Sequence, residues 1–122
     1  MSPSRAKILV IDDDPDVREF IAVSLAESGF VVREAADGAA GIESFEKAPP
    51  DLVVLDFVMP GLSGAEVANR MLVERPGQPI LFVSGFSETD AIRRLAPDTP
   101  LLAKPFRADA LDAAVRSALG IS

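Results

Sequence analysis

Four short apolar runs most tightly constrain how this chain can fold. Each run has three or four residues, is rich in Val, Leu and Ile, and ends in polar or turn-forming residues. They occupy residues 8–11, 52–55, 80–83 and 101–103. Runs of this length predict strands buried on both faces of a parallel sheet. Because the carboxyl ends of parallel strands meet along one edge, the residues that follow these runs are candidates for a functional site.

Helix signals fill the segments between the runs. Asp14 followed by Pro15 predicts the start of a first helix, and Ser63 with Glu66 forms a capping-box pattern at the start of a third. A less apolar strand is predicted over residues 30–34, nearer a sheet edge. Apolar residues at helical spacing are expected to face the core: Val17, Phe20, Ile21 and Leu25 on the first helix, and Val67, Met71 and Leu72 on the third.

The alternation of five strands with five helices predicts an α/β fold. Right-handed crossovers then give a parallel sheet covered by helices on both faces. We predict a doubly wound, flavodoxin-like sheet with strand order 2-1-3-4-5, a common solution for this pattern. The 122 residues fit one domain over 1–122, with 1–6 as a loose N terminus. A fourth helix near Ser87 is expected to be brief, because Pro97 and Pro100 follow it.

Composition excludes several classes of function. The chain has no Cys and no His, which removes disulfides, thiolate or imidazole metal ligands and a phosphohistidine role. A net charge of −7 argues against a surface that binds nucleic acid nonspecifically. No apolar run reaches membrane-spanning length, and the first residues lack a signal-peptide core. We therefore expect a cytoplasmic protein with neither a membrane nor nucleic acid as a direct partner.

Three acids are expected to meet at the carboxyl edge of the sheet. Asp12 and Asp13 follow the first run, and Asp56 ends the second. Since neighbouring carboxylates repel one another, ionising all three requires compensation by positive charge. Mg²⁺, or Mn²⁺, prefers oxygen ligands of this kind. Helix capping accounts for Asp14 but not for the other three acids, so the pattern favours a metal site.

A hydroxyl and a lysine follow the other two runs. Ser84 comes directly after the third run, and Lys104 with Pro105 follows the fourth. Each residue alone would be read as a turn or surface residue. Together with a cation and a nucleophilic Asp56, they match the needs of phosphoryl transfer, in which the phosphoryl oxygens must be held and their charge offset. The Lys104–Pro105 bond is a candidate cis peptide, since cis bonds are nearly confined to X-Pro.

These residues, in this order, resemble the receiver domain of two-component response regulators over essentially the whole chain. The matching motifs are Asp12-Asp13, Asp56 followed by Met59-Pro60-Gly61, Ser84, and Lys104-Pro105-Phe106. The resemblance implies that Asp56 accepts phosphate from a histidine kinase, a histidine phosphotransfer protein or a small acyl phosphate.

The resemblance also implies roles for the residues around Asp56. Asp13, Asp56 and the backbone carbonyl of Val58 would bind Mg²⁺, with Asp12 acting mainly through water. Ser84 and Lys104 would contact the phosphoryl group. The domain would autophosphorylate and slowly lose its phosphate, without turning over an external substrate.

Signal output is implied in the same way. Phosphorylation would bias two states of a face built from the fourth helix, fifth strand and fifth helix, which binds an effector or output domain. A monomer or a phosphorylation-dependent dimer is expected. Arg93, Arg94 and Arg107 lie on or near this face, as partner contacts or, more simply, as solvated charges.

Two features depart from the usual pattern of the family. Leu101 stands where many receivers carry a Tyr or Phe that acts as a rotamer switch with the Ser/Thr position. Residues 82–86 resemble a subgroup of receivers, found in alphaproteobacterial single-domain regulators and hybrid kinases, with an aromatic residue after a Ser-Gly or Thr-Gly pair. We therefore hypothesise that Phe86 takes over the switch role, the alternative being simple packing. Val58 and Phe86, both apolar, are expected to flank Asp56 and to slow hydrolysis of its phosphate.

Several functions other than that of a phospho-accepting receiver are compatible with parts of this pattern. A phosphatase resembling the haloacid dehalogenases would need an Asp at the position of Val58. A flavodoxin-like cofactor binder would need a phosphate loop rich in hydroxyls and Gly in place of the three acids. A phosphate sink or relay receiver from a hybrid kinase and a pseudo-receiver that serves only as an interaction module are the alternatives.

Overall fold

The computed structural model describes residues 5–85, 89–95 and 98–121. Within them, five strands alternate with five helices. The strands are β1 (Lys7–Ile11), β2 (Val31–Ala35), β3 (Leu52–Asp56), β4 (Ile80–Ser84) and β5 (Leu101–Ala103). The helices are α1 (Pro15–Glu27), α2 (Gly38–Lys47), α3 (Gly64–Glu74), α4 (Thr89–Leu95) and α5 (Ala108–Leu119). Among the described helices, none combines the length and apolar character that crossing a membrane would require.

All neighbouring strands are parallel, in the order β2-β1-β3-β4-β5. This confirms the predicted flavodoxin-like topology. The three central strands are buried on both faces apart from the first residue of β1, as their unbroken apolar runs predicted. The weaker second strand lies at the sheet edge and spans Val31–Ala35, one residue later than predicted. The fifth strand ends at Ala103, so Lys104 lies just beyond it.

Alternating side chains build one apolar layer on each face of the sheet. One layer packs β-strand residues such as Leu55 and Phe82 against α2, α3 and α4, which contribute Phe45, Met71 and Ile92. The layer on the opposite face packs β-strand residues against α1 and α5. Its members include Val10, Val54, Ile21, Leu25, Leu111 and Val115. The helices thereby hold the five strand ends at one edge in a fixed register.

Side-chain caps define the helix starts that the sequence predicted. The Asp14 carboxylate accepts hydrogen bonds from the backbone N–H groups of Asp16 and Val17 at the start of α1. Ser63 and Glu66 form the reciprocal capping box of α3. These contacts satisfy amide groups that a helix start otherwise leaves without partners.

Two apolar residues predicted to face the core do not. Phe20 is 43% exposed and Leu72 is 38% exposed. On each helix the buried residues follow a 3-4 spacing, and both exceptions stand one position, or about 100°, from that row. Phe20 instead lies beside Phe106, with ring centroids 6.1 Å apart. The fourth helix is described over Thr89–Leu95, and Ser87, where it was predicted to begin, lies outside the described residues, as do residues 96–97 beyond Leu95.

Candidate functional site

The three predicted acids meet at the carboxyl edge of β1 and β3. The two strands are adjacent, and Ile11 is the register partner of Leu55. The next residues, Asp12 after β1 and Asp56 at the end of β3, therefore lie side by side. Asp13 follows in the same loop, and one carboxylate oxygen from each acid lies within 4.8 Å of the others. Asp12 and Asp56 are buried, whereas Asp13 is exposed. The cluster therefore has two enclosed carboxylates and one that faces solvent.

Lys104 supplies positive charge to this cluster from the end of β5. Its Nζ lies 3.5 Å from Asp56 Oδ1 and 3.7 Å from Asp12 Oδ2. The peptide bond between Lys104 and Pro105 is cis. The backbone N–H of Lys104 donates a 2.7 Å hydrogen bond to the carbonyl oxygen of Ser84. The ammonium group is thus placed between the two buried acids while its backbone is anchored to the neighbouring strand.

Burial and mutual repulsion change the protonation of the acids. Burial, and then the neighbouring Asp12 carboxylate, raise the pKa of Asp56 to about 7, against the opposing effect of Lys104. Burial also raises the pKa of Asp12, although a hydrogen bond from the backbone of Asp14 and the charge of Lys104 oppose this. One lysine does not offset two buried carboxylates and a third beside them. The site therefore favours a further positive charge.

The carboxylates fit a hard divalent cation. Asp12 Oδ1 accepts a 2.9 Å hydrogen bond from the backbone of Asp14, whereas the buried Oδ2 accepts none within the described residues and has Lys104 Nζ at 3.7 Å, beyond hydrogen-bond distance. Buried polar atoms are usually paired, so an atom of this kind indicates a binding position. Carboxylate oxygens without nitrogen or sulfur ligands suit Mg²⁺, Ca²⁺ or Mn²⁺.

Ser84 places a second buried group without a partner at the same edge. It ends β4, one residue beyond Val83, which is the register partner of Asp56. The side chain is fully buried, and its Oγ makes no hydrogen bond to any described residue. This hydroxyl, which has no partner among the described residues, and the Lys104 ammonium lie at the same sheet edge as Asp56, where they can hold an anion with several oxygens.

The remaining predicted residues lie at or beyond the margin of this cluster. The side chain of Val58 is 56% exposed, just after Asp56. Leu101 begins β5 opposite Phe82 and packs partly buried against the core. Phe86 lies outside the described residues. Arg93 and Arg94 are exposed on α4, and Arg107 makes an exposed 3.7 Å ion pair with Asp109.

Two residues that support the site, Arg18 and Gly64, were not predicted from the sequence. Arg18 Nη1 donates a 2.8 Å hydrogen bond to the carbonyl oxygen of Asp12. Gly64 lies against the end of β3, and a Cβ atom there would be 2.5 Å from the carbonyl oxygen of Asp56. Gly64 carries no clear signal in the sequence, because the cost of Gly applies to helix interiors and Gly64 is the first residue of α3. Arg18 stands four residues after Asp14 and carries no clear signal either.

Comparison with known proteins gives consistent matches. A family model described as response regulator receiver domain matches residues 8–116. The DNA-binding response regulator MtrA of Mycolicibacterium smegmatis is 34% identical over 121 residues, covering 98% of this chain and 53% of MtrA. The response regulator receiver protein CpdR of Brucella abortus is 34% identical over 106 residues, covering 82% of this chain and 85% of CpdR.

Solved structures give the same result. The receiver domain of NtrX from Brucella abortus superposes with a TM-score of 0.87 at 29% identity, covering 94% of this chain and 99% of that domain. A response regulator receiver domain protein from Clostridium thermocellum superposes with a TM-score of 0.87 at 28% identity, covering 94% of each chain. The chain spans about half the length of MtrA but most of CpdR.

Proposed function

The chain belongs to the response regulator receiver domain family of two-component signalling, and we propose on that basis that Asp56 is its phospho-acceptor. One observation carries the proposal. The carboxylates of Asp12 and Asp13 and the Lys104 ammonium converge around Asp56, with Nζ 3.5 Å from its Oδ1. A carboxylate of this kind serves as a nucleophile toward phosphorus when its surroundings offset the charge of the incoming group.

The proposed reaction forms an acyl phosphate on Asp56. A carboxylate oxygen of Asp56 attacks the phosphorus of a phosphohistidine or a small acyl phosphate. The new bond joins this oxygen to phosphorus, and the bond from phosphorus to the donor nitrogen or oxygen breaks with its electron pair going to the donor. Asp56 must be ionised for the attack. Since its pKa is about 7 without a cation, positive charge nearby favours the reactive form.

Six groups of the chain are proposed to hold the reactants. Asp13, Asp56 and the backbone carbonyl of Val58 would bind Mg²⁺ or Mn²⁺, with Asp12 acting through water. The cation supplies charge compensation for the carboxylates and the phosphoryl oxygens. The Lys104 ammonium, already 3.5 Å from Asp56, would contact a second phosphoryl oxygen. The buried Ser84 hydroxyl, which lacks a partner within the described residues, would donate a hydrogen bond to a third.

We further propose that phosphorylation changes the face formed by α4, β5 and α5. Ser84 and Leu101 belong to the strands that border this face, and Lys104 bonds to the backbone of Ser84. Ser84, Leu101 and Phe86 are the proposed switch residues, which would make the face bind a downstream protein. The phosphodonor would be a histidine kinase or a histidine phosphotransfer protein. The protein would act in the cytoplasm as a monomer or phosphorylation-dependent dimer, slowly dephosphorylating itself.

A direct test is to incubate the protein with acetyl phosphate and Mg²⁺ and to measure its intact mass. One phosphoryl group should be added, and neither the Asp56→Asn variant nor a sample with EDTA should gain it. Lys104→Met should still bind Mg²⁺ yet phosphorylate more slowly, because it removes the proposed phosphoryl contact together with the ammonium that lowers the pKa of Asp56. No adduct from acetyl phosphate or from a phosphorylated histidine phosphotransfer protein would contradict the proposal and favour a pseudo-receiver.

A further inference from the structure

A cavity of about 480 Å³ lies between α3 and α4, on the sheet face that these helices cover. Its floor is formed by Ile80 and Phe82 of β4 and by Phe57, and its walls include Leu72 of α3 and Ile92 of α4. The volume lies within the range of sites that enclose small organic molecules.

The aromatic and aliphatic lining suits a flat apolar ligand. The rings of Phe57 and Phe82 meet edge to face, with centroids 5.5 Å apart and an interplanar angle of 83°. A third aromatic ring that entered the cavity would contact both side chains in favourable offset or edge-on geometries. The exposed apolar side of Leu72 lies at the margin of this space, where water would be displaced on binding.

One buried amide adds a polar anchor to this apolar wall. Gln78 is 5% exposed, and its Nε2 donates a 3.0 Å hydrogen bond to the carbonyl oxygen of Pro79. Its Oε1 is buried and accepts no hydrogen bond from the described residues. Because an enclosed carbonyl oxygen is rarely left without a donor, Gln78 selects for a ligand that carries one.

Charge at the rim restricts the ligand further. The exposed carboxylate of Asp98 lines the cavity next to Thr99. The whole chain carries a net charge of −7. No Lys or Arg is among the described residues that line the cavity. A neutral or cationic molecule is therefore favoured over an anion.

We propose that this cavity binds a small aromatic molecule, neutral or cationic, that donates an N–H or O–H hydrogen bond to Gln78 Oε1. The ring would lie against Phe57 and Phe82 and beneath Ile92. This site is separate from the proposed phosphoryl chemistry, since it contains none of the acidic cluster.

Indole and 1-methylindole form a matched pair of probes, because they differ in the ring N–H. Binding would be followed by ¹H–¹⁵N NMR of the metal-free protein. Indole should give saturable shifts at the amides of Phe57, Phe82 and Ile92, whereas 1-methylindole should bind about fivefold more weakly, the usual effect of one hydrogen bond. Tryptamine should bind at least as tightly as indole, and indole-3-acetate more weakly.

Three variants locate the site. Gln78→Met should remove the preference for indole over 1-methylindole while retaining apolar binding. Ala65 is a partly buried residue of α3 that lines the cavity. Ala65→Leu should fill part of the cavity and weaken the binding of both probes by about tenfold. Val73→Ala should leave the affinity for both probes unchanged, because Val73 is 75% exposed and is not among the residues that line the cavity. Asp56→Asn should bind indole with unchanged affinity. Failure of the cavity proposal is therefore distinguishable from failure of the phospho-acceptor proposal.

The proposal is overturned if neither probe gives saturable shifts up to about 5 mM, the range of the weakest specific binding. Equal affinity for the two probes in the unmodified protein would overturn the role of Gln78. Tighter binding of indole-3-acetate than of indole would overturn the charge preference.

Discussion

Arg18 holds the acidic cluster through the backbone, because its Nη1 donates a 2.8 Å hydrogen bond to the carbonyl oxygen of Asp12. Its Nε lies 3.3 Å from Glu34 Oε1 on the edge strand. The side chain is largely buried, so this one guanidinium joins α1, the end of β1 and β2. The loop that carries Asp12 and Asp13 is thereby tied to α1 and β2.

Arg18→Ala should weaken Mg²⁺ binding by about fivefold, because the Asp12-Asp13 loop loses a charge-assisted hydrogen bond. Isothermal titration calorimetry is the suitable measurement, since the chain has no Trp or Tyr to report binding by fluorescence. Arg107→Ala removes an equal charge at an exposed ion pair and should leave the affinity unchanged. Equal affinities in both variants would show that the loop is held without Arg18.

The raised pKa of Asp56 should make the metal-free protein less stable as pH rises. Asp56 has a pKa of about 7 in the folded protein, against an ordinary value of 3.8. Between these values the folded state binds a proton that the unfolded chain does not, so the free energy of unfolding falls as pH increases and the loss is complete above about 7. Asp12 contributes in the same direction.

Asp56→Asn should therefore raise the free energy of unfolding by roughly 2 kcal/mol at pH 8 and have little effect near pH 4. Urea unfolding at both pH values in EDTA measures this difference. Glu43→Gln removes one exposed charge on α2 and should show no such pH dependence. An Asp56→Asn effect of the same size at both pH values would mean that repulsion among the carboxylates is not its cause.

Gly64→Ala should destabilise the protein by about 2 kcal/mol, the usual cost of forcing an atom into a packed interior. Its Cβ would lie 2.5 Å from the carbonyl oxygen of Asp56 and 2.7 Å from Phe57 Cα, so α3 or the acceptor loop must move. Thermal unfolding measures the cost, and slower phosphorylation should accompany it. Gly77→Ala is the control, since a Cβ there meets nothing within 4 Å, and it should be close to neutral. Similar stability of the two variants would contradict the close approach.

Ser84→Ala should separate function from stability. Removing a buried hydroxyl that lacks a described partner should leave the unfolding free energy unchanged or raise it slightly. Phosphorylation by acetyl phosphate should nevertheless slow about tenfold or more, if the hydroxyl donates to the phosphoryl group. Ser63→Ala should do the reverse, costing about 1 kcal/mol through the lost cap of α3 with little change in rate. A Ser84→Ala variant that is phosphorylated normally would exclude the proposed contact.

Val58→Asn should shorten the lifetime of phosphorylated Asp56, because a polar side chain beside the acceptor would help an attacking water. Val58 is 56% exposed, so the substitution should cost little stability. The decay of the phosphorylated mass after removal of acetyl phosphate gives the lifetime. Val73→Asn makes the same chemical change on α3, away from the acidic cluster, and should not alter the decay. An unchanged rate in Val58→Asn would refute the idea that Val58 shields the phosphate.

Local sequence patterns predicted most of the fold. The buried central strands and the caps at Asp14 and Ser63 follow from a few neighbouring residues. The wrong predictions concern Phe20 and Leu72, which stand beside the buried row of their helices. Whether such a position is covered depends on what another element places against it, and spacing along one helix does not contain that information.

The sequence by itself determined which residues end each strand, because the length of an apolar run and the loop residues after it act locally. It therefore placed Asp12, Asp13, Asp56, Ser84 and Lys104 at one edge. Only the tertiary structure decided the distance from Lys104 to Asp56, the support of the Asp12 loop by Arg18, and the enclosure of Gln78 beside a cavity. Each of these depends on how separate elements pack, since burial and charge act across space and not along the chain.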